Sequence, residues 1–310
     1  MIKISRKALF LANAILLPST LLISSPLSAK PAPSPSLQGW NFTAGAIDQQ
    51  FSNSGTIFAS NAHSDFNINN KYHGGYNLGI GYITPEQGSD INLDYTHLRG
   101  TDSSNVSSSQ GLSLSGNGAI IGFITSAFGK NTYNFDSANL TAGHTINLSP
   151  SFSVNYLGGL NYTKLSRDLS TLGTGGVNDY RVNSGTNFSG VGPTIGLNGT
   201  CHPFGNSYPQ FGFVTGINTA FPYGTLSGYL YNFTNQTLDA EMIPDTKTVI
   251  PVIGAKLAVN YNHLFNIMNL NTELGYQTYT LFEVTKDSTY TGGSINTSIQ
   301  GFYLNFTGSF

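Results

Sequence analysis

Charged residues are scarce in this chain of 310 residues, since only 9% of them are Asp, Glu, Lys or Arg. Soluble globular domains average about 25%. The 13 Lys and Arg against 15 Asp and Glu make no basic field, which excludes nucleic acid as an expected partner. A single cysteine excludes an internal disulfide framework. Beyond the first 30 residues no window holds about 18 consecutive apolar residues, which excludes membrane-spanning helices from the expected fold.

The residues that are abundant are Gly, Tyr and Phe, with 36, 17 and 20 copies, beside many Asn, Ser and Thr. Disordered chains are poor in aromatic residues and rich in charge, so this composition argues for an ordered fold. If the chain meets a membrane, it must do so with strands.

The first 29 residues are expected to be a targeting segment. Three cations within the first seven residues precede an apolar stretch over 8–23, and small residues follow up to Ala29. This order is typical of a secretory signal peptide, and we predict cleavage after Ala29. Residues 30–39 are then a Pro-rich linker, and residues 40–310 form the folded domain.

Apolar and polar residues alternate strictly along several segments, which is the period of a β-strand. In the clearest segment, Tyr76, Leu78 and Ile80 lie on one face while Asn77 and Gly79 lie on the other. The pattern predicts about ten strands, and eight or twelve also fit. The predicted strands are 40–50, 71–83, 90–99, 134–148, 151–164, 187–199, 209–221, 249–262, 269–283 and 298–310.

The predicted connections alternate between short, such as 84–89 and 149–150, and long, such as 100–133 and 222–248. Outer-membrane barrels have this asymmetry. A soluble β-sandwich would also alternate, but here the polar face is made of Asn, Gln, Ser, Thr and Gly, which suits an enclosed polar interior. We therefore predict an all-β fold: a transmembrane, antiparallel, up-and-down β-barrel of the bacterial outer membrane, with short periplasmic turns and long extracellular loops.

Several of these segments resemble one known family. The runs over 135–148, 156–165 and 189–197 are similar to the Legionella-type major outer membrane protein family, as are 88–98, 249–265 and 40–47. The resemblance covers most of 40–310 and consists of strand patterns. It implies an outer-membrane barrel that is porin-like and surface-exposed. Family members carry cysteines near the mature N-terminus, whereas the one cysteine here is Cys201, so the resemblance puts disulfide-linked oligomers in question.

The predicted function is a porin-like surface protein with at most a narrow, weakly selective pore, because a ten-stranded barrel is small. Its polar lining is predicted to include Asn77, Asn92, Asp94, Asn155, Asn161, Lys256, Glu273 and Gln277. If turn 263–266 is tight, Lys256 and Glu273 lie directly opposite each other in the lumen. The alternative is a non-conducting structural or adhesive barrel that binds partners through its long loops; a barrel enzyme is a third reading.

The expected partners are membrane components. Arg99, Lys164 and Arg167 lie beside long connections and are candidates for contacts with the phosphates of outer-leaflet glycolipid. A last strand that ends at Phe310 resembles the sorting signal of outer-membrane barrels, which implies recognition by the barrel-assembly machinery. A homo-oligomer and an extracellular loop partner are left open.

Catalytic motifs are absent from the sequence: HExxH, GxSxG and CxxC do not occur. A barrel protease could pair His97 with Asp102, or His73 with Asp94, at its outer rim, but a structural role is favoured for each. No catalytic residue, metal ligand or cofactor is expected, and the chain is not predicted to be an enzyme.

Overall fold

The computed structural model describes residues 39–53, 55–61, 63–84, 88–114, 124–176, 178–204, 208–235, 237–286 and 294–310. These residues form fourteen strands and no helix. The predicted signal peptide and almost all of the predicted linker lie outside the described residues.

The strands are long for a β protein. They are β1 (Gly39–Asn53), β2 (Ile57–Ser60), β3 (Asp65–Asn67), β4 (Tyr72–Ile83), β5 (Ser89–Leu114), β6 (Ile124–Ser149), β7 (Phe152–Thr174), β8 (Tyr180–Cys201), β9 (Phe211–Ala220), β10 (Tyr223–Thr234), β11 (Thr237–Val249), β12 (Val252–Leu264), β13 (Asn269–Lys286) and β14 (Ser294–Ser309).

Ten strands pair in a closed antiparallel ring, in the order β1-β4-β5-β6-β7-β8-β9-β12-β13-β14 and back to β1. Closure leaves no free edge along this ring. Short connections join β4 to β5, β6 to β7, β8 to β9 and β12 to β13, and they define what we call the lower end of the barrel. The first residues of β1 pair with the last residues of β14 at this same end. The ring confirms the predicted fold class and the count of about ten strands.

Several strands are much longer than is needed to cross a membrane. A transmembrane β-strand takes about 9–11 residues, whereas β5 and β6 have 26 residues each. The extra residues extend the wall at the upper end, opposite the short turns. Much of the predicted long connections 100–133 and 222–248 is therefore strand, as is much of 165–186, which lies between the predicted strands 151–164 and 187–199; this corrects those expected loops.

The hairpin of β10 and β11 continues β9 and β12 upward. The two strand pairs are separated at Pro222 and Pro251, where proline removes a ladder donor. The carbonyl of Pro222 accepts a hydrogen bond from the Ile250 amide at 3.0 Å, so the two interruptions lie side by side. Above them β10 pairs with β8 and β11.

A small hairpin of β2 and β3 lies in the upper barrel. β2 pairs with the end of β5 through Ala59 and Leu114. Phe58, Ala59 and Ile68 are buried, with at most 3% of their surface exposed. The first upper connection is thus folded into the wall and its core.

Candidate functional site

The lower half of the lumen is a polar chamber. It encloses a cavity of about 240 Å³. Amides and hydroxyls bond across its wall: the Asn77 amide donates to Asn305 Oδ1 at 3.2 Å, and the Thr96 hydroxyl donates to Asn77 Oδ1 at 2.9 Å. Further polar side chains that line the cavity are Thr43, Asp94, Asn139, Thr141, Asn198, Asn218, Lys256 and Gln277.

One ion pair lies in this chamber. Lys256 Nζ is 2.9 Å from Glu273 Oε1, and the Tyr303 hydroxyl donates to the same oxygen. The predicted contact between Lys256 and Glu273 is therefore present, but the predicted register is wrong. Lys256 pairs with Gln277 and Glu273 with Asn260, because the β12–β13 turn spans 265–268 rather than 263–266. The lysine side chain bridges the offset along the lumen.

All eight residues predicted to line a pore point inward. Asn161 donates to Asn139 Oδ1 at 2.8 Å, Asn155 to Thr145 Oγ1 at 2.9 Å, and Asn92 to Asp90 Oδ2 at 2.8 Å. The remaining predicted positions lie in the chamber and its ion pair. These residues therefore line the lumen. Whether the lumen conducts solutes stays a prediction.

An apolar layer closes the lumen above the chamber. One inward row crosses five neighbouring strands, with each residue paired in register to the next and at most 5% exposed: Leu98, Phe135, Leu165, Phe188 and Leu226. The opposite wall completes the layer with side chains that are fully buried, among them Leu281, Val284 and Ile299. Sequence reasoning missed this layer.

Aromatic stacking spans the closed lumen. The rings of Phe51 on β1 and Tyr133 on β6 are parallel, with centroids 4.4 Å apart, and both side chains are fully buried. Burial raises the pKa of the Tyr133 phenol, so it stays un-ionised at neutral pH. Its hydroxyl accepts a hydrogen bond from the Asn131 amide at 2.7 Å.

Arg167 belongs to this internal packing. Its Nε donates to Asn131 Oδ1 at 3.3 Å, and its Nη2 donates to the carbonyl of Gly55 in the first upper connection. Only 6% of the residue is exposed. The prediction that Arg167 contacts glycolipid is therefore wrong, because the side chain points into the barrel rather than toward the membrane.

A second apolar cluster fills the upper mouth. Phe58 on β2 and Ile68 just after β3 pack with buried residues of the surrounding wall: Leu112, Leu114, Ile124, Ala127, Leu169, Val182 and Leu230. The lumen is thus polar below, and above it holds two apolar clusters with a few buried polar side chains, such as Asp102, Asn131 and Arg167, packed beside them.

The outer surface has the opposite order. Below, large apolar side chains are exposed on every ring strand, such as Leu78 at 50%, Leu160 at 54% and Leu257 at 64%. Above, the outward residues become mostly polar, with exposed apolar side chains such as Phe128 at 43% and Leu238 at 53% near the top. Arg99 and Lys164 are exposed on this outer face, next to the upper edge of the apolar belt.

The histidines that could have served a protease have other partners than the predicted ones. His97 Nδ1 lies 2.8 Å from Asp136 Oδ1 on the outer face, and His73 Nε2 lies 3.0 Å from Asp102 Oδ1 inside the barrel. Asp102 is fully buried. The two pairs considered for a protease, His97 with Asp102 and His73 with Asp94, do not form, because the strand register brings other carboxylates closer.

Within the described part of the chain, no three His, Cys, Asp or Glu residues are grouped so that they could hold a metal ion. No helix there is long and apolar enough to cross a membrane. Cys201 carries a free thiol at the lower end of β8.

A closed ten-stranded ring with an exposed apolar belt defines a transmembrane β-barrel of the outer-membrane type. The model of one family, described as Legionella pneumophila major outer membrane protein precursor, matches residues 34–310, and the chain belongs to this family. The protein is accordingly located in the bacterial outer membrane, so the lower end faces the periplasm and the upper end faces outward. No curated protein matches the chain.

Solved structures that are similar are outer-membrane proteins of several activities. The outer membrane protease OmpT of Escherichia coli has a TM-score of 0.54 and 10% identity, over 90% of this chain and 99% of that chain. Ail, the attachment invasion locus protein of Yersinia pestis, has a TM-score of 0.27 and 9% identity over 87% and 99%. The Pseudomonas putida toluene transporter TodX has a TM-score of 0.33 and 8% identity over 89% and 90%. At such identities the OmpT likeness shows the fold alone.

Proposed function

We propose that this protein is a surface barrel that is closed to solutes at rest and acts through its tall outer wall. The observation that carries the proposal is the apolar layer across the lumen. Side chains from opposite walls, such as Phe51 and Tyr133, meet there without solvent exposure. The polar side chains at this level, such as Arg167, Asn131 and Asp102, are buried and packed beside these rings rather than lining an open channel.

The free-energy cost of opening such a layer supports a closed state. Exposing one fully buried large apolar side chain costs about 1.5–3 kcal/mol. A continuous water path past three of them would then cost about 5–9 kcal/mol, and each 1.4 kcal/mol is a factor of about ten in population. The open state would be populated at less than about one part in a thousand.

Single-channel recording on the refolded protein in planar bilayers tests this proposal. The wild-type barrel is expected to give no steady conductance step. The variant Phe51→Ala/Tyr133→Ala removes the stack that spans the lumen and is expected to conduct more often. The matched control is Phe42→Ala/Phe302→Ala, which removes two outward rings that are 50% and 57% exposed. A steady ohmic step from the wild-type protein would overturn the proposal.

A porin-like pore is the second candidate, and the polar lower chamber favours it. Asn77, Asp94 and Lys256 would line such a pore, and the chamber already holds a cavity of about 240 Å³. Conduction would require the apolar layer and the β2–β3 hairpin to move aside. Steady conductance in the wild type, lost when the hairpin is cross-linked to β5 through cysteines at Ala59 and Leu114, would select this function instead.

We also propose partners for the upper wall and for the last strand. The upper wall, including the β10–β11 hairpin, would bind an extracellular partner or a second copy of the chain. The last strand would be read by the barrel-assembly machinery at Phe310, whose amide donates to the Trp40 carbonyl at 3.0 Å where β14 closes on β1. Deleting Phe310 is expected to slow insertion into the membrane in cells.

A further inference from the structure

We propose that the outer face of β5, β7 and β11, at the upper edge of the apolar belt, binds the phosphate groups of an outer-leaflet glycolipid. This inference concerns the outside of the barrel and does not depend on whether the lumen conducts. At this edge the outward residues change sharply from apolar to polar.

The change from apolar to polar occurs at one register row. The last aromatic or apolar row holds Tyr95, Ala138, Tyr162 and Val191. The next row upward runs through paired residues of six strands and is polar throughout: His97, Asp136, Lys164, Ser189, Thr225 and Lys247. The row above it holds Arg99, Asn134, Ser166 and Asn187. We call these two polar rows the rim.

Three cations lie in the rim, and all three are exposed: Arg99, Lys164 and Lys247. Neither Arg99 nor Lys164 makes an ion pair with any residue that the structure describes. Neighbouring strands are about 4.8 Å apart and successive outward residues about 7 Å apart. These two cations therefore lie close enough for their long side chains to reach one amphiphile.

Exposed Asp245 lies two residues from Lys247 on β11, whereas the carboxylate nearest Arg99 and Lys164 is Asp136, which is already engaged. Asp136 Oδ1 lies 2.8 Å from His97 Nδ1 and accepts a hydrogen bond from the Tyr95 hydroxyl at 2.7 Å. Both of these contacts lie on the β5 side of Asp136; Lys164 is its cross-strand neighbour on the β7 side and makes no ion pair with it, so the Lys164 ammonium and the Arg99 guanidinium can also meet an outside anion. Arg and Lys are the side chains that bind phosphate oxygens most strongly, through charge-assisted hydrogen bonds.

The surface below the rim fits the acyl chains of the same ligand. Leu93, Leu140, Leu160 and Ile195 are exposed there, at 47%, 49%, 54% and 60%. A molecule with phosphates at the membrane edge and hydrocarbon beneath it would contact both surfaces. A free phosphate or an acidic peptide would use only the rim.

The opposite wall supplies a contrast. Where its outward residues turn polar, β13, β14 and β1 carry Thr278, Gln300 and Asp48, with no cation among them. Lipid surrounds the whole barrel, so a general need for charge at the edge would place cations on both walls. These three strands carry no cation at the edge, although exposed Lys71 lies just before β4, and the grouping of Arg99, Lys164 and Lys247 on one wall indicates a site.

The experiment compares retention of bisphosphorylated lipid A by the refolded full-length barrel in detergent, measured by native mass spectrometry. The variant Arg99→Gln/Lys164→Gln is expected to lower retention on the order of tenfold or more. The control Lys130→Gln/Arg181→Gln removes two exposed cations from higher on the outer wall and is expected to leave retention unchanged. Gel mobility of the unheated barrel checks that each variant has folded.

A second arm uses lipid A without phosphates, which is expected to bind the wild type and the rim variant equally weakly. Equal retention of the bisphosphorylated lipid by wild type and rim variant would overturn the proposal. An equal loss in the control variant would also overturn it, because the effect would then come from net charge. So would preferential retention of the lipid without phosphates.

Discussion

The lower and upper halves of this barrel have opposite polarity. On β6, Leu140 and Ile146 point outward in the lower half, whereas Tyr133 and Phe135 point inward in the upper half. The switch is sharp: the inward row through Leu98 is apolar, and the outward row through His97 is polar. The alternation of the strands continues through the switch, but the apolar residues move to the other face.

The surrounding solvent explains the difference. In the lower half, hydrocarbon surrounds the wall, so apolar side chains face out and the polar ones bond to each other inside. In the upper half, water surrounds the wall, so apolar side chains gain free energy only by meeting inside. The same ring is therefore a membrane barrel below and a soluble barrel with a filled core above.

The largest expected effect comes from truncating the upper core. Phe188→Ala removes a side chain that is 1% exposed and should lower the free energy of unfolding by about 3–5 kcal/mol. Equilibrium unfolding by guanidinium in lipid vesicles measures this loss. The matched lower variant Phe306→Ala, whose ring is 45% exposed, should lose clearly less. Equal losses would mean that the two halves are not inverted.

The second largest effect should come from a charge placed on the outer face, because its cost in stability should differ between the two halves. Leu257→Arg puts a cation into the lower belt, where the residue is 64% exposed, and should cost about 2–4 kcal/mol. Thr101→Arg puts the same charge on the outer face of the upper wall and should cost less than about 0.5 kcal/mol. The same unfolding assay compares the two variants. A loss of about 2–4 kcal/mol in Thr101→Arg would mean that the upper wall also lies in lipid.

A smaller effect should come from the ion pair of the lower chamber. Lys256→Met leaves Glu273 without its cation in an enclosed site and should cost about 1–3 kcal/mol. The double variant Lys256→Met/Glu273→Gln should recover part of this loss, because no unpaired charge remains. If the double variant loses the sum of both single losses, the two residues do not interact in the folded barrel.

The lower half could be predicted from the sequence because its alternation is strong and uninterrupted. Tyr76, Leu78 and Ile80 point outward as expected, with exposures of 42%, 50% and 39%. The upper half could not, since a stretch such as 101–110, which is rich in Ser, has no local strand signal. Its strand conformation depends on pairing with β6, which is a long-range effect.

Some of the errors had a signal that was overlooked. Lys164 and Arg167 are three positions apart on one strand, so alternation alone places them on opposite faces. The apolar pattern of β6 changes phase between Phe135 and Leu140, which marks the level of the polarity switch. The register of Lys256 had no such signal, because it depends on the length of the β12–β13 turn.

The polarity switch is tested most directly by labelling β6 from outside. A fluorophore is attached to single cysteines at Leu140 and at Lys130, in a Cys201→Ser background, and the barrel is refolded in vesicles with brominated lipid. The label at Leu140 is predicted to be quenched by the lipid and shielded from iodide, and the label at Lys130 is predicted to show the reverse. Lipid quenching at Lys130, or iodide quenching at Leu140, would contradict the account.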